Sequence, residues 1–187
     1  MNNKKILLVI ILAFVLVLAG AGVLYQNLGQ AYSPEQLATQ PQEAGQVQKL
    51  KAPDFAVYDA QGNEVRLYDY VGKPIVVNFW ASWCGPCQME MPDFQDKYSE
   101  LGENVQFLMV NMTDGSRETV QTAADFIREK GYTFPVFYDT KSDAAITYGA
   151  YSLPTTYFID AQGYAVAQAT GAIDAATLQR GIDMITK

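Results

Sequence analysis

Residues 75–80, Ile-Val-Val-Asn-Phe-Trp, are an unbroken β-branched and aromatic run that leads almost directly into Trp83-Cys84-Gly85-Pro86-Cys87. A run with no polar alternation is the pattern of a strand buried on both faces, which requires layers packed on either side of its sheet. Pro86 is compatible with a helix only in its first turn, where a missing N–H costs little. A helix is therefore expected over residues 85–101, immediately after the strand. This one stretch dictates strand, tight turn and helix in that order, with both cysteines at the turn.

That placement gives the cysteines their chemistry. A thiolate in the first turn of a helix faces unpaired N–H groups carrying partial positive charge. Its pKa falls, and more of it is ionised at neutral pH. Two intervening residues let the sulfurs meet across the turn. Cys84 is expected to be exposed and to attack a partner's disulfide, and Cys87, one turn in, to resolve the mixed disulfide. The competing role, a structural bridge, is weak, because so small a loop removes little chain entropy.

The chain has 187 residues, two cysteines and no histidine. Two thiolates cannot complete a tetrahedral metal site, and one bridge cannot replace a core in a disulfide-built secreted domain. No metal and no cofactor beyond the cysteine pair is expected. The missing histidine also removes the commonest general base. The formal net charge of -7, with no basic cluster, argues against nucleic-acid binding.

Residues 6–25 carry no charge and are mostly Ile, Leu, Val, Ala and Phe. As a helix this segment is about 30 Å long, the thickness of a bilayer core. Lys4 and Lys5 precede it, which keeps that end cytoplasmic and sends the remainder outward. The favoured reading is a transmembrane anchor over residues 1–25. A signal peptide cleaved near Ala19-Gly20-Ala21 is the alternative, although the run exceeds a usual signal core. Both place the rest outside the cytoplasm, an oxidising compartment in bacteria. Residues 26–51, rich in Gln, Ala, Ser and Pro, have the composition of a linker.

The domain is expected over residues 52–187. Short strands are expected at 55–58 and 64–67, joined by the Asp59-Ala60-Gln61-Gly62-Asn63 turn. Further strands are expected at 105–110, 135–138, 155–159 and 164–169, the last two around Asp160-Ala161-Gln162-Gly163. Ser116 is expected to cap a helix with Val120, Ala124 and Ile127 on its inner face, closed by Gly131. Short and terminal helices are expected at 143–148 and after Asp174, the latter with Leu178, Ile182 and Ile185 inward. Strand–helix alternation implies parallel pairing in the middle, and the closing hairpin implies antiparallel pairing. The fold class is α/β.

The segment Val77-Asn78-Phe79-Trp80-Ala81-Ser82-Trp83-Cys84-Gly85-Pro86-Cys87 resembles the active-site segment of thioredoxins, particularly the membrane-tethered branch similar to TlpA and ResA. The resemblance covers residues 52–187. It implies a thioredoxin-like mixed central sheet flanked by helices, with an N-terminal β-hairpin and a central βα insertion near residues 113–138. Leu153-Pro154-Thr155-Thr156 resembles the cis-proline entry to a strand in that fold, which would set Pro154 beside Cys84 and let the Leu153 backbone pair with an extended substrate segment. Glu90, three residues after Cys87, matches an acidic residue of the ResA-like pattern and is a candidate proton relay. Cytoplasmic thioredoxins carry aspartate where Asn78 stands, so Asn78 is expected to be a hydrogen-bonding core residue. Trp83 is expected to flank the reactive sulfur as a docking surface, and Trp80 to be core. Tyr148, Tyr151 and Tyr157 are expected to pack, with Tyr151 a weaker candidate for the substrate rim.

The expected activity is thiol–disulfide exchange with protein disulfides, in the reducing direction that the Gly-Pro dipeptide of reducing thioredoxins suggests. Kinship implies apocytochrome c as a substrate and a membrane electron donor of the CcdA/DsbD type. A monomer is the simplest expectation. The alternatives are a thiol oxidase or isomerase, a peroxiredoxin-like peroxidase on the same fold, and a non-catalytic binding module that keeps the bridge as a staple.

Overall fold

The computed structural model describes residues 38–39 and 50–187. The expected anchor and most of the expected linker lie outside the described residues. Among the described residues no helix is long and apolar enough to cross a membrane.

The strands are β1 (Ala38–Thr39), β2 (Ala56–Tyr58), β3 (Glu64–Arg66), β4 (Ile75–Trp80), β5 (Gln106–Asn111), β6 (Val136–Tyr138), β7 (Thr155–Ile159) and β8 (Ala165–Thr170). The α-helices are α1 (Gly85–Leu101), α2 (Val120–Lys130), α3 (Asp143–Tyr148) and α4 (Ala175–Ile185). Among the described residues the strands form one sheet in the order β1-β8-β7-β4-β5-β6-β2-β3. Pairing is parallel through β4, β5 and β6, and antiparallel through β4, β7 and β8. The β2–β3 hairpin joins β6 at Tyr58 and Tyr138. This is the mixed sheet with an N-terminal hairpin and a central α2–β6 insertion that the sequence implies. The pairing also reaches into the segment read as linker. Ala38 and Thr39 pair with β8, and Lys51 bridges to Tyr164.

Every residue of β4 is buried, and the reason is the period of two along a strand. Val76 and Trp80 enter one core with Met91, Phe94, Leu178 and Ile182. Ile75, Val77 and Phe79 enter the other with Phe55, Leu67 and Tyr148. One strand thus supplies both layers, and its polar exception, Asn78, points to the α1 side, where it meets Glu90.

The two Asp-Ala-Gln-Gly turns are built alike. Asp59 Oδ1 accepts from the N–H groups of Gln61 and Asn63, and Asp160 Oδ1 from those of Gln162 and Tyr164. Gly62 and Gly163 take the left-handed conformation, with φ of 80° and 83°.

One helix start differs from the expectation. Thr119, not Ser116, caps α2, its hydroxyl accepting from Thr122 N–H at 3.0 Å. Ser116 N–H instead donates to Asp114 Oδ1 at 2.7 Å, within a turn that occupies the expected first helical turn. With the start moved, Ala123 is the buried residue of α2, Phe126 and Ile127 pack against the core, and Val120 is exposed. Gly131 closes α2 in the left-handed conformation, and Asp174 caps α4, as the sequence implies.

Candidate active site

The chain leaves β4 at Trp80 and turns within residues 81–84, where Cys84 N–H donates to Ala81 O at 3.1 Å. Cys84 is the N-cap of α1, and its Sγ accepts from Cys87 N–H at 3.3 Å. Pro86 sits in the first turn, as helix chemistry requires. The two cysteines form a disulfide with their Cα atoms 5.3 Å apart. A helix N-terminus thus aims a backbone donor at Cys84 Sγ, an arrangement that stabilises a thiolate there after reduction.

The exposure of Cys84 is smaller than the sequence suggests. Cys84 is 5% exposed and Cys87 not at all. Cys84 is thus buried in the oxidised protein, contrary to the expectation of an exposed sulfur, and only slightly less enclosed than Cys87. In the oxidised pair, Cys84 Sγ is bonded to Cys87 and also accepts the Cys87 N–H, and Cys84 belongs to the core that contains Trp80, Met91 and Phe94.

Trp83 is 41% exposed, whereas Trp80 is fully buried. The guanidinium carbon of Arg117 lies 3.6 Å from the Trp83 ring centroid, a cation–π stack that holds the indole on the surface. The Leu153–Pro154 peptide is cis. Thr155 pairs with Phe79, so Pro154 lies at the sheet end from which β4 runs out to the cysteines. Pro154 is buried, with its carbonyl accepting from Gly171 N–H at 2.9 Å. Leu153 is half-buried against the core that contains both cysteines. Tyr148 and Tyr157 pack edge to face, while Tyr151 is exposed.

Glu90 lies one turn beyond Cys87 on the same side of α1. The residue is only 2% exposed. Oε1 accepts from Asn78 Nδ2 at 2.8 Å and Oε2 from Ile173 N–H at 3.0 Å. Burial pushes its pKa up to about 7, against the opposing pull of those two hydrogen bonds. Asn78 Nδ2 also donates to Thr156 Oγ1 at 3.0 Å, and Asn78 Oδ1 is buried without a partner. A half-turn of that amide offers Oδ1 to a protonated Glu90. Asn78 can therefore serve the carboxyl in either protonation state.

Sequence reasoning missed Glu118. It sits in the polar string Thr113-Asp114-Gly115-Ser116-Arg117-Glu118-Thr119, which has the composition of a solvated loop, yet it is fully buried. Its carboxylate accepts from Ser82 N–H at 2.9 Å, Ser82 Oγ at 2.6 Å and Asn111 Nδ2 at 2.7 Å. The one available signal was Asp114, an Asx-turn former. Among the described residues no group of three or more His, Cys, Asp or Glu side chains is arranged to hold a metal ion.

The model of the AhpC/TSA family matches residues 49–167. The chain belongs to the AhpC/TSA family. Within the AhpC/TSA family it is ResA-like. It is 35% identical to the thiol-disulfide oxidoreductase ResA of Geobacillus thermodenitrificans over 135 residues, covering 72% of this chain and 75% of that one. It is 35% identical over 152 residues to the thioredoxin-like protein YneN of Bacillus subtilis, covering 81% and 84%. The crystal structure of StoA from Bacillus subtilis superposes with a TM-score of 0.60 at 27% identity, covering 70% of this chain and 96% of StoA. This AhpC/TSA member is accordingly a thioredoxin-fold thiol–disulfide oxidoreductase that acts on protein disulfides.

Proposed function

We propose that this enzyme is a membrane-anchored reductase of extracytoplasmic protein disulfides, with Cys84 the attacking sulfur and Cys87 the resolving one. The observation that carries this reading is the Cys84–Cys87 pair at the start of α1, with the Cys87 N–H aimed at Cys84 Sγ and the buried Glu90 one turn further on. In the dithiol form, the Cys84 thiolate attacks one sulfur of the substrate disulfide. A Cys84–substrate bond forms, the substrate bond breaks, and the departing thiolate takes a proton. Cys87 then attacks Cys84 Sγ, which releases the second substrate thiol and closes the disulfide. Two electrons pass to the substrate. Glu90, with a pKa near neutrality, takes up the proton that Cys87 gives up.

Trp83, Leu153 and Pro154 frame the approach to the pair, with the Leu153 backbone offered to an extended substrate segment. Apocytochrome c is the proposed substrate and a CcdA/DsbD-type membrane protein the proposed electron donor, both by kinship with the ResA relatives. Residues 6–25 are the proposed anchor, with Lys4 and Lys5 on the cytoplasmic side and residues 52–187 outside as a monomer. No cofactor is needed beyond the cysteine pair itself.

The test is to express Cys87→Ala in the whole chain and separate membranes under non-reducing conditions. The expected result is a set of covalent partners on Cys84, apocytochrome c among them, that disappears when Cys84 is also changed to Ser. Absence of any trapped partner, together with failure of the parent protein to reduce insulin, overturns the reading. A reduction potential far above the glutathione range would instead indicate an oxidase.

A further inference from the structure

Glu118 is a fully buried carboxylate on a loop, and nothing in thiol–disulfide exchange as described above uses it. Burying such a group is costly unless donors surround it. The donors here belong to two other segments. Ser82 gives both its N–H and its hydroxyl, and Asn111, at the end of β5, gives its side-chain amide. Ser82 is held from its third polar group as well, because Gln88 Nε2 donates to its carbonyl at 2.6 Å. The segment entering Cys84 is thereby fixed at Ser82 from both the insertion and α1.

The turn that carries Glu118 is itself closed. Asp114 Oδ1 accepts from Ser116 N–H and Glu118 N–H at 2.7 and 2.9 Å, and Gly115 N–H donates to Glu118 O at 2.9 Å. The adjoining Arg117 stacks on Trp83. Two consecutive residues of the insertion therefore grip two consecutive residues of the active-site segment, Ser82 and Trp83, next to the reactive sulfur.

We infer that the 114–119 turn is a positioning clamp for Cys84, with Glu118 fixing Ser82 and Arg117 fixing Trp83. The inference rests on Cys84 being the exchanging sulfur of the proposed reductase. Glu118 touches no reacting atom and is a positioning residue. Its effect is on how readily the reduced Cys84 is presented to Cys87. Loosening the segment lowers the effective concentration of one thiol at the other, which disfavours the disulfide.

The experiment equilibrates whole-chain parent, Glu118→Gln, Ser82→Ala and Arg117→Ala with glutathione buffers and quantifies the Cys84–Cys87 disulfide. Glu118→Gln is expected to lower the equilibrium constant for disulfide formation about tenfold, equivalent to a potential about 30 mV less negative. Ser82→Ala, which removes one of the contacts and is small enough to fold, shifts it several-fold the same way. Arg117→Ala lowers kcat/KM for insulin reduction several-fold with little change in Tm. If Glu118→Gln or, should that variant fail to fold, Ser82→Ala lowers Tm yet leaves the equilibrium within twofold of the parent, the turn only staples the fold and the inference is overturned. A parent pair that does not exchange with glutathione at all overturns the reductase reading and the clamp together.

Discussion

Glu90 is a carboxyl placed where ionisation is opposed, and stability must record that. Its pKa stands at about 7 in the fold against 4.5 for an unperturbed glutamate, with burial as the leading cause. Between those values the folded protein keeps the proton and the unfolded chain has lost it. The contribution is full below the unfolded pKa and disappears as pH rises through the folded one, an effect on the order of 3 kcal/mol. Glutamine stands in for the protonated acid, accepting from Ile173 N–H and donating to Asn78 Oδ1. Glu90→Gln is therefore expected to remove most of the loss of stability that the parent shows between pH 5 and pH 8. Urea unfolding of the oxidised protein across that range checks it, and parallel pH profiles for parent and variant would sink the claim. The position of Glu90 near Cys87 was legible from helical spacing. Its pairing with Asn78 was not, since the two residues belong to different elements and meet only when α1 settles on β4.

At the scale of elements, α4 lies so close to the sheet that Gly181 faces the ring of Phe158, which is fully buried. A Cβ at Gly181 would collide with that ring. Replacing glycine by alanine inside a helix ordinarily gains about 1 kcal/mol from propensity. Over-packing a closed core costs about 1–3 kcal/mol, and the full burial of the Phe158 ring puts this site toward the upper end. The collision wins, and Gly181→Ala is expected to be destabilising by about 1–2 kcal/mol, despite the better helix former. The urea midpoint measures it, and adding Phe158→Leu should recover part of the loss. A more stable single variant would refute the close contact. The start of α1 followed directly from a local signal, the proline at position 86. The start of α2 did not. Both Ser116 and Thr119 are good caps by type, and the choice between them was made by Asp114, whose carboxylate captured the N–H of Ser116 and left Thr119 to begin the helix.

For the whole molecule, residues 36–187 form one compact unit. A fragment of that span is expected to fold without the segment ahead of it and to reduce insulin with the kcat/KM of the detergent-solubilised full chain, within about threefold of it on the transition-state scale. A fragment that folds but loses activity would show that the preceding residues contribute to the site. The sequence by itself determined the strand, turn and helix around Cys84 and Cys87, because those depend on side-chain period and on the backbone limits of proline, which act within a few residues. It also determined the mixed pairing of the sheet through the order of its elements. Only the tertiary structure decided the burial of Cys84, the near-neutral Glu90 and the closing of Glu118 on Ser82, which lies 36 positions away. Burial and a shifted ionisation arise from atoms brought together by the complete packing, and a polar string such as Thr113-Asp114-Gly115-Ser116-Arg117-Glu118-Thr119 carries no local sign of which of its residues will be enclosed.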